Sequence, residues 1–303
     1  MAKQKAPNAR RAIAATQQLV SFCDAIFFVS MKIQLNEQIL DIVPGTTLTQ
    51  LRDRIKPEAD VLIRNGHAEN GDPTLEEGDR VVLIRRGEMP SAAELQALLV
   101  ARHSPEIHDK IRTATVGIAG VGGLGSPVAV ALARCGVGRL ILADFDVVEP
   151  SNLNRQHYFI DQIGLSKVEA LHRTLERINP YVEVVTHPVR LIPANIPQLF
   201  SEVDVLVEAF DDPEQKAMLT EVFLGRVADR PLVVASGVAG YGPANTIRTR
   251  QAGRRLYLVG DETSAARPGE GLMAPRVGVA AHHQANAVLR LLLGLDPVEE
   301  LTE

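Results

Sequence analysis

Residues 120–125 read Gly-Val-Gly-Gly-Leu-Gly and sit between an apolar run, Val116–Ala119, and a helix-forming stretch, Ser126–Ala133. A G-x-G-x-x-G pattern in that setting is suited to nucleotide phosphates. Gly120 makes the tight turn and Gly122 lets the backbone approach the anion. The helix start then presents free N–H groups and a positive dipole end. Gly120, Gly122, Gly123 and Gly125 are therefore candidate nucleotide-binding residues. The pattern specifies a phosphate and leaves the nucleotide open. Asp144-Phe145-Asp146 closes the next apolar run, Leu140–Ala143. A carboxylate at that strand end can accept hydrogen bonds from both ribose hydroxyls, which makes Asp144 and Asp146 candidates and suits an NAD-dependent enzyme equally well.

The segment that follows, Ser151-Asn152-Leu153-Asn154-Arg155-Gln156, carries a bidentate phosphate binder, and Lys167 adds a point charge. A dinucleotide needs only the pyrophosphate clamp of the glycine loop, so two further cations point to a triphosphate. The plainer reading, cations paired with neighbouring acids on a wet surface, contributes little energy. Phe210-Asp211-Asp212 follows the apolar run that begins at Val203. A carboxylate at the end of such a strand faces the crevice where open α/β sheets bind ligands. Asp211 there suits Mg²⁺, a hard cation that takes carboxylate and phosphate oxygens.

The elements that must position these groups are legible from periodicity. From Val116 to about Leu295 strands and helices alternate, with strands expected at Val116–Ala119, Leu140–Ala143, Val182–Val185, Val203–Val207 and Leu232–Ala235. Helices are expected over Ser126–Ala133, Lys167–Ile178 and Val277–Leu293. Such alternation predicts a Rossmann-like, mainly parallel sheet covered by helices. Ahead of it, Met31–Leu35, Ile39–Val43, Leu48–Ile55, Val61–Ile63 and Arg80–Arg85 read as strand, strand, helix, strand, strand, a compact β-grasp pattern. The expected division is a 1–30 extension, disordered or preceding the true start, then a 31–88 β-grasp domain, an 89–111 helical connector and a 112–303 nucleotide-binding domain.

The chain has 303 residues, 46% apolar and 23% charged, which is ordinary globular usage. No apolar run reaches the roughly 20 residues needed to cross a bilayer, so no membrane partner is expected. The net charge of −5 lacks the basic excess that nucleic-acid binding wants. Two cysteines, Cys23 and Cys135, are too few for a disulfide framework or a Cys-x-x-Cys zinc site, which points to a reducing cytoplasm and no structural zinc. Cys135, at a helix end, reads as packing, and the eight histidines show no H-x-x-x-H spacing.

In this order the motifs resemble the ThiF/MoeB/HesA family, bacterial relatives of ubiquitin-activating enzymes, over about residues 100–294. Gly271–Gly278 is similar to the family's Gly-Pro-x-x-Gly stretch before its last helix. The resemblance implies binding of ATP and Mg²⁺ and adenylylation of the C-terminal carboxylate of a ThiS-like sulfur carrier protein, in thiamine thiazole synthesis, by a homodimer. It implies that Gly120–Gly125 hold the nucleotide, Asp144 the ribose, Arg155 and Lys167 the phosphates, and Asp211 the metal, with Asn152 and Gln156 in support. Family members also borrow an Arg from the dimer partner, and Arg102 is the counterpart here, closer to Gly120 than is usual. The family's Asp-Asn is Asp211-Asp212, which adds a charge beside the metal position. Residues 31–86 resemble ThiS-type carriers, but Arg86-Gly87-Glu88 replaces the Gly-Gly terminus a carrier must offer. A carrier-like unit that is not itself a substrate is therefore expected. The alternatives are a molybdopterin-type or other carrier, an NAD-dependent oxidoreductase, and a silent binding platform.

Overall fold

The computed structural model describes residues 30–267 and 271–298, so the expectation for residues 1–29 lies outside the described residues. The chain divides into two compact units, with the boundary in the sequence between Leu98 and Leu99. The first contains β1 (Met31–Leu35), β2 (Gln38–Ile42), α1 (Leu48–Ile55), β3 (Val61–Arg64), β4 (His67–Ala68) and β5 (Arg80–Ile84). Its strands lie in the order β2-β1-β5-β3-β4, with β1 and β5 parallel at the centre. Alternation along the strands turns Ile33, Leu35, Ile42, Val81 and Leu83 to one face, where Leu48 and Leu51 of α1 cover them. Thr47 starts α1 with a reciprocal capping box to Gln50, satisfying two backbone donors. This is the β-grasp pattern expected, with the short β4 added.

α2 (Ala92–His103) runs across this sequence boundary, and α3 (Pro105–Arg112) belongs to the second unit. It contains β6 (Thr115–Ala119), α4 (Gly125–Cys135), β7 (Arg139–Ala143), α5 (Lys167–Ile178), β8 (Glu183–His187), α6 (Ile196–Phe200), β9 (Val205–Glu208), α7 (Pro213–Arg226), β10 (Leu232–Ala235), β11 (Arg248–Gly253), β12 (Leu256–Gly260) and α8 (Ala274–Leu292). The seven strands run β11-β12-β10-β9-β6-β7-β8, and only β11 is antiparallel to its neighbour. Val116, Ile118, Leu140 and Leu142 point to the layer of α4, α5 and α8. Ile141 and Ala143 point to the opposite layer, where Phe200 of α6 and Phe223 of α7 are wholly buried. Burying such a side chain contributes about 1.5–3 kcal/mol. The sequence reading missed α6, α7 and the β11–β12 hairpin, and gave residues 89–111 as helical without separating α3 from α2.

The strand order locates the ligand crevice. After β6 the chain builds β7 and β8 on one side, then crosses to place β9 on the other side of β6. Ligands of open parallel sheets bind at the carboxyl ends of the strands at such a reversal. Gly120 leaves β6 there, and Asp211 follows β9 there.

Candidate active site

A cavity of about 660 Å³ opens at this point. Gly120, Gly122 and Gly123, Asp144 and Asp146, Arg155, Gln156, Lys167 and Asp211 all line it. Gly125 and Asn152 do not, and each has a supporting position instead. A Cβ on Gly125 would lie 1.9 Å from the Gly120 carbonyl, so glycine alone lets α4 start against the loop. No side chain caps the first turn of α4, which leaves its end turned to the cavity for an anion. The Asn152 side chain accepts a hydrogen bond from the Glu149 amide at 3.0 Å, and its carbonyl accepts from the amides of Arg155 and Gln156. It builds the turn that carries those two residues.

The Asp144 carboxylate accepts from the Val121 amide at 2.8 Å and the Asp146 amide at 2.9 Å, tying the glycine loop to the end of β7. Burial pushes its carboxyl above the ordinary value, against the pull of these two amides and of Lys167. Tyr158 donates to the Val121 carbonyl at 2.7 Å and fixes the loop from the other side. Lys167 is buried, 6% exposed, and its Nζ donates to Asp146 Oδ2 at 2.8 Å. The ion pair is thus real, but it faces the cavity, where a phosphate can compete for the ammonium. Arg155 donates through Nη1 to Ser151 O and Asn154 Oδ1. Its Nε and the Gln156 Oε1 are buried without a partner, polar atoms that a ligand would satisfy.

Asp211 is exposed to the cavity, and no described donor holds its carboxylate. Asp212 also lines the cavity, but one of its oxygens caps α7 by accepting from the amides of Glu214 and Gln215. The second acid is therefore a helix-start residue as well as an extra charge. Phe145 and Val189 form an apolar rim, where the Arg190 guanidinium stacks 4.1 Å from the Phe145 ring. Among the lining residues that escaped the sequence reading are Lys216 and the Ser236-Gly237 corner after β10. The available signal was a cation one turn into a helix that starts at a strand end. Arg102 lies in the last turn of α2 and does not line the cavity. Cys135 is half-buried, and burial raises its thiol pKa, which disfavours the reactive thiolate.

The far wall, Glu262–Ala266, is held by Asp261. Burial alone would raise the Asp261 carboxyl, but the Ser264 hydroxyl and amide, the Thr263 amide and the Arg276 charge outweigh it. They hold it at about 2, below the ordinary 3.8. A lowered carboxyl stabilises the fold above its unfolded pKa and loses that contribution as pH falls through the folded one. Replacing Asp261 by Asn should therefore cost about 2 kcal/mol near pH 6, and the gap from the parent should close as pH drops from about 4 towards 2. Urea unfolding of both proteins at each pH measures it; a gap independent of pH would refute this role.

The model of the ThiF family matches residues 95–302, and the model described as ThiS-like ubiquitin matches residues 31–87. The adenylyltransferase and sulfurtransferase UBA4 of Eremothecium gossypii is 32% identical over 201 residues, 63% of this chain and 44% of that protein. Ubiquitin-like modifier-activating enzyme 5 of Drosophila persimilis is 56% identical over 80 residues, 26% of this chain and 21% of that protein. The matches thus span less than half the length of these curated relatives. Among solved structures, E. coli tRNA N6-threonylcarbamoyladenosine dehydratase TcdA in complex with AMP superposes with a TM-score of 0.61 at 22% identity, covering 69% of this chain and 98% of that one. E. coli MccB with ATP gives a TM-score of 0.50 at 25% identity, covering 63% of this chain and 60% of that one. With a family match over more than half its length, on the strand order and glycine loop described above, the chain belongs to the ThiF family.

Proposed function

We propose that this protein adenylylates the C-terminal carboxylate of a ThiS-like sulfur carrier with ATP, in the thiazole branch of thiamine synthesis. The observation that carries the reading is the meeting of a glycine loop, two cations and an unpartnered carboxylate in one cavity at the sheet's switch point. A nicotinamide dinucleotide would leave Arg155 and Lys167 without a task. The UBA4 relative, named for adenylyltransfer and sulfur transfer, and the ThiS-like match within the same chain support a carrier of this class.

In the reaction, a carboxylate oxygen of the carrier attacks the α-phosphorus, the bond from that phosphorus to the α–β bridging oxygen breaks, and pyrophosphate leaves with the electron pair. Acyl-adenylate and pyrophosphate are the products. The chain supplies position and charge rather than a nucleophile. The glycine loop and the start of α4 hold the phosphates, and Asp144 orients the ribose. Arg155 and Lys167 neutralise the charge that develops on the leaving pyrophosphate, with Lys167 exchanging Asp146 for a phosphate oxygen. The residues fit Mg²⁺, because one exposed carboxylate with open oxygens is what that ion takes beside phosphate oxygens. Asp211 would hold it, and when bound it would supply charge neutralisation on the phosphates.

Pyrophosphate exchange into ATP, run with Mg²⁺ and purified carriers, tests the reading. Exchange is expected with a ThiS-like carrier; exchange only with a molybdopterin-type carrier would move the pathway, and NADH turnover without exchange would overturn the reaction. Asp211→Ala should lower exchange by about 10²-fold or more, the usual effect of losing one preorganised electrostatic group. Undiminished exchange would remove Asp211 from the site.

A further inference from the structure

Below the cavity floor, a carboxylate and an ammonium meet that no step above uses. Glu208, the last residue of β9, is fully buried. Lys216, in the first turn of α7, donates from Nζ to Glu208 Oε1 at 3.0 Å, to Oε2 at 3.1 Å and to the Ala235 carbonyl at 2.9 Å. All three ammonium hydrogens are thereby engaged, so Lys216 lines the cavity without being a phosphate ligand. Glu208 is committed too. Its Oε1 accepts from the Phe210 amide at 2.6 Å, and its Oε2 from the Ala235 amide at 3.3 Å. Its backbone carbonyl accepts from Gln284 of α8 at 2.9 Å.

The geometry joins two walls of the cavity. The amide of Phe210 immediately precedes Asp211, and Ala235 immediately precedes the Ser236-Gly237 corner. The ladder between β9 and β10 pairs Leu206 with Leu232 and Val207 with Val233. Past these pairs the Glu208 carboxylate links the two strands, by accepting from the amides of Phe210 and Ala235, and Lys216 locks the carboxylate. A buried carboxylate so held is a rigid strut, since any rotation would leave a charge unpaired in the interior.

We infer that the Glu208–Lys216 pair is a positioning device that holds Asp211 at the place where it binds the nucleotide's metal ion. Glu208 and Lys216 act through the Phe210 amide and touch no substrate. The inference rests on the adenylylation reading for the identity of the ligand, yet its test separates the two. A group that orients a metal ligand through a hydrogen bond costs about 10–100-fold in metal affinity when lost, without removing the ligand itself.

Full-length protein with ATP is titrated with Mn²⁺, and free Mn²⁺ is read by electron paramagnetic resonance; ATP affinity is measured separately in EDTA. Glu208→Gln should weaken Mn²⁺ binding about 10-fold or more while metal-free ATP affinity stays within about twofold. The double variant Glu208→Gln/Lys216→Met removes both charges together, so no lone buried charge compromises folding. It should show the same split. Mn²⁺ affinity at the parent level in the folded variants would overturn the inference. So would an equal loss of metal-free ATP affinity, the mark of a merely structural role. Asp211→Asn is the control for the reading beneath. If that change leaves ATP-dependent Mn²⁺ binding intact, the metal assignment itself fails, whatever Glu208 does.

Discussion

Replacing Lys167 by Ala is expected to slow carrier-dependent pyrophosphate exchange by about 10²–10³-fold, the range for losing one preorganised charge donor. The structure explains both the size of the loss and its selectivity. Lys167 opens α5, its amide donates to the Asp146 carbonyl at 2.9 Å, and its ammonium is fixed on the Asp146 carboxylate. Position and charge are thus set before any ligand arrives. The carboxylate left behind is 47% exposed on its side chain and is solvated by water, so the fold survives the change. Lys167→Ala should therefore retain its melting temperature within about 3 °C, since a surface-exposed partner costs little when freed. Exchange within threefold of the parent would remove Lys167 from the phosphate site. A melting temperature lowered in step with activity would make it structural instead.

Gly260→Ala should produce the largest loss of stability, on the order of 3–5 kcal/mol. Gly260 ends β12 with φ at +140°, a backbone region that side chains strongly resist. An added Cβ would lie 1.6 Å from the Ser236 carbonyl oxygen, a rigid backbone atom that cannot step aside. That carbonyl accepts the Glu262 amide at 3.1 Å, and the Gly237 carbonyl accepts the Asp261 amide at 3.0 Å. The substitution therefore pries apart the corner after β10 and the wall that Asp261 organises. A unit of this size loses roughly 2–4 °C of melting temperature per kcal/mol, so a drop of about 6–20 °C is expected by calorimetry. ATP affinity should fall with it, because both walls line the cavity. A drop under 2 °C would show that the corner can open without strain.

How much of this was legible in the residues follows from how far each signal reaches along the chain. The glycine loop, the Asp144–Asp146 turn and the Ser151–Gln156 turn are local, so adjacent residue types announce them. Buried parallel strands announce themselves as apolar runs, because both faces are covered. The mainly parallel sheet and the β-grasp unit are accordingly legible in the sequence alone. The β11–β12 hairpin is not, since Arg248–Gly253 is an exposed edge with no apolar alternation. α7 escaped because its apolar residues follow no clear stripe; Asp212 and Pro213 at its start were the available cue.

By itself, then, the sequence determined which groups could do chemistry and the class of sheet that would carry them, because both are written in short windows. Only the tertiary structure decided that β9 lies beside β6, and hence that Asp211 faces the glycine loop. It alone turned Asp212 into a helix cap, moved Gly125 and Asn152 behind the lining, and set Glu208 between Phe210, Ala235 and Lys216. Such relations join strands and helices distant in the chain. Their energies come from burial and pairing that no local window contains.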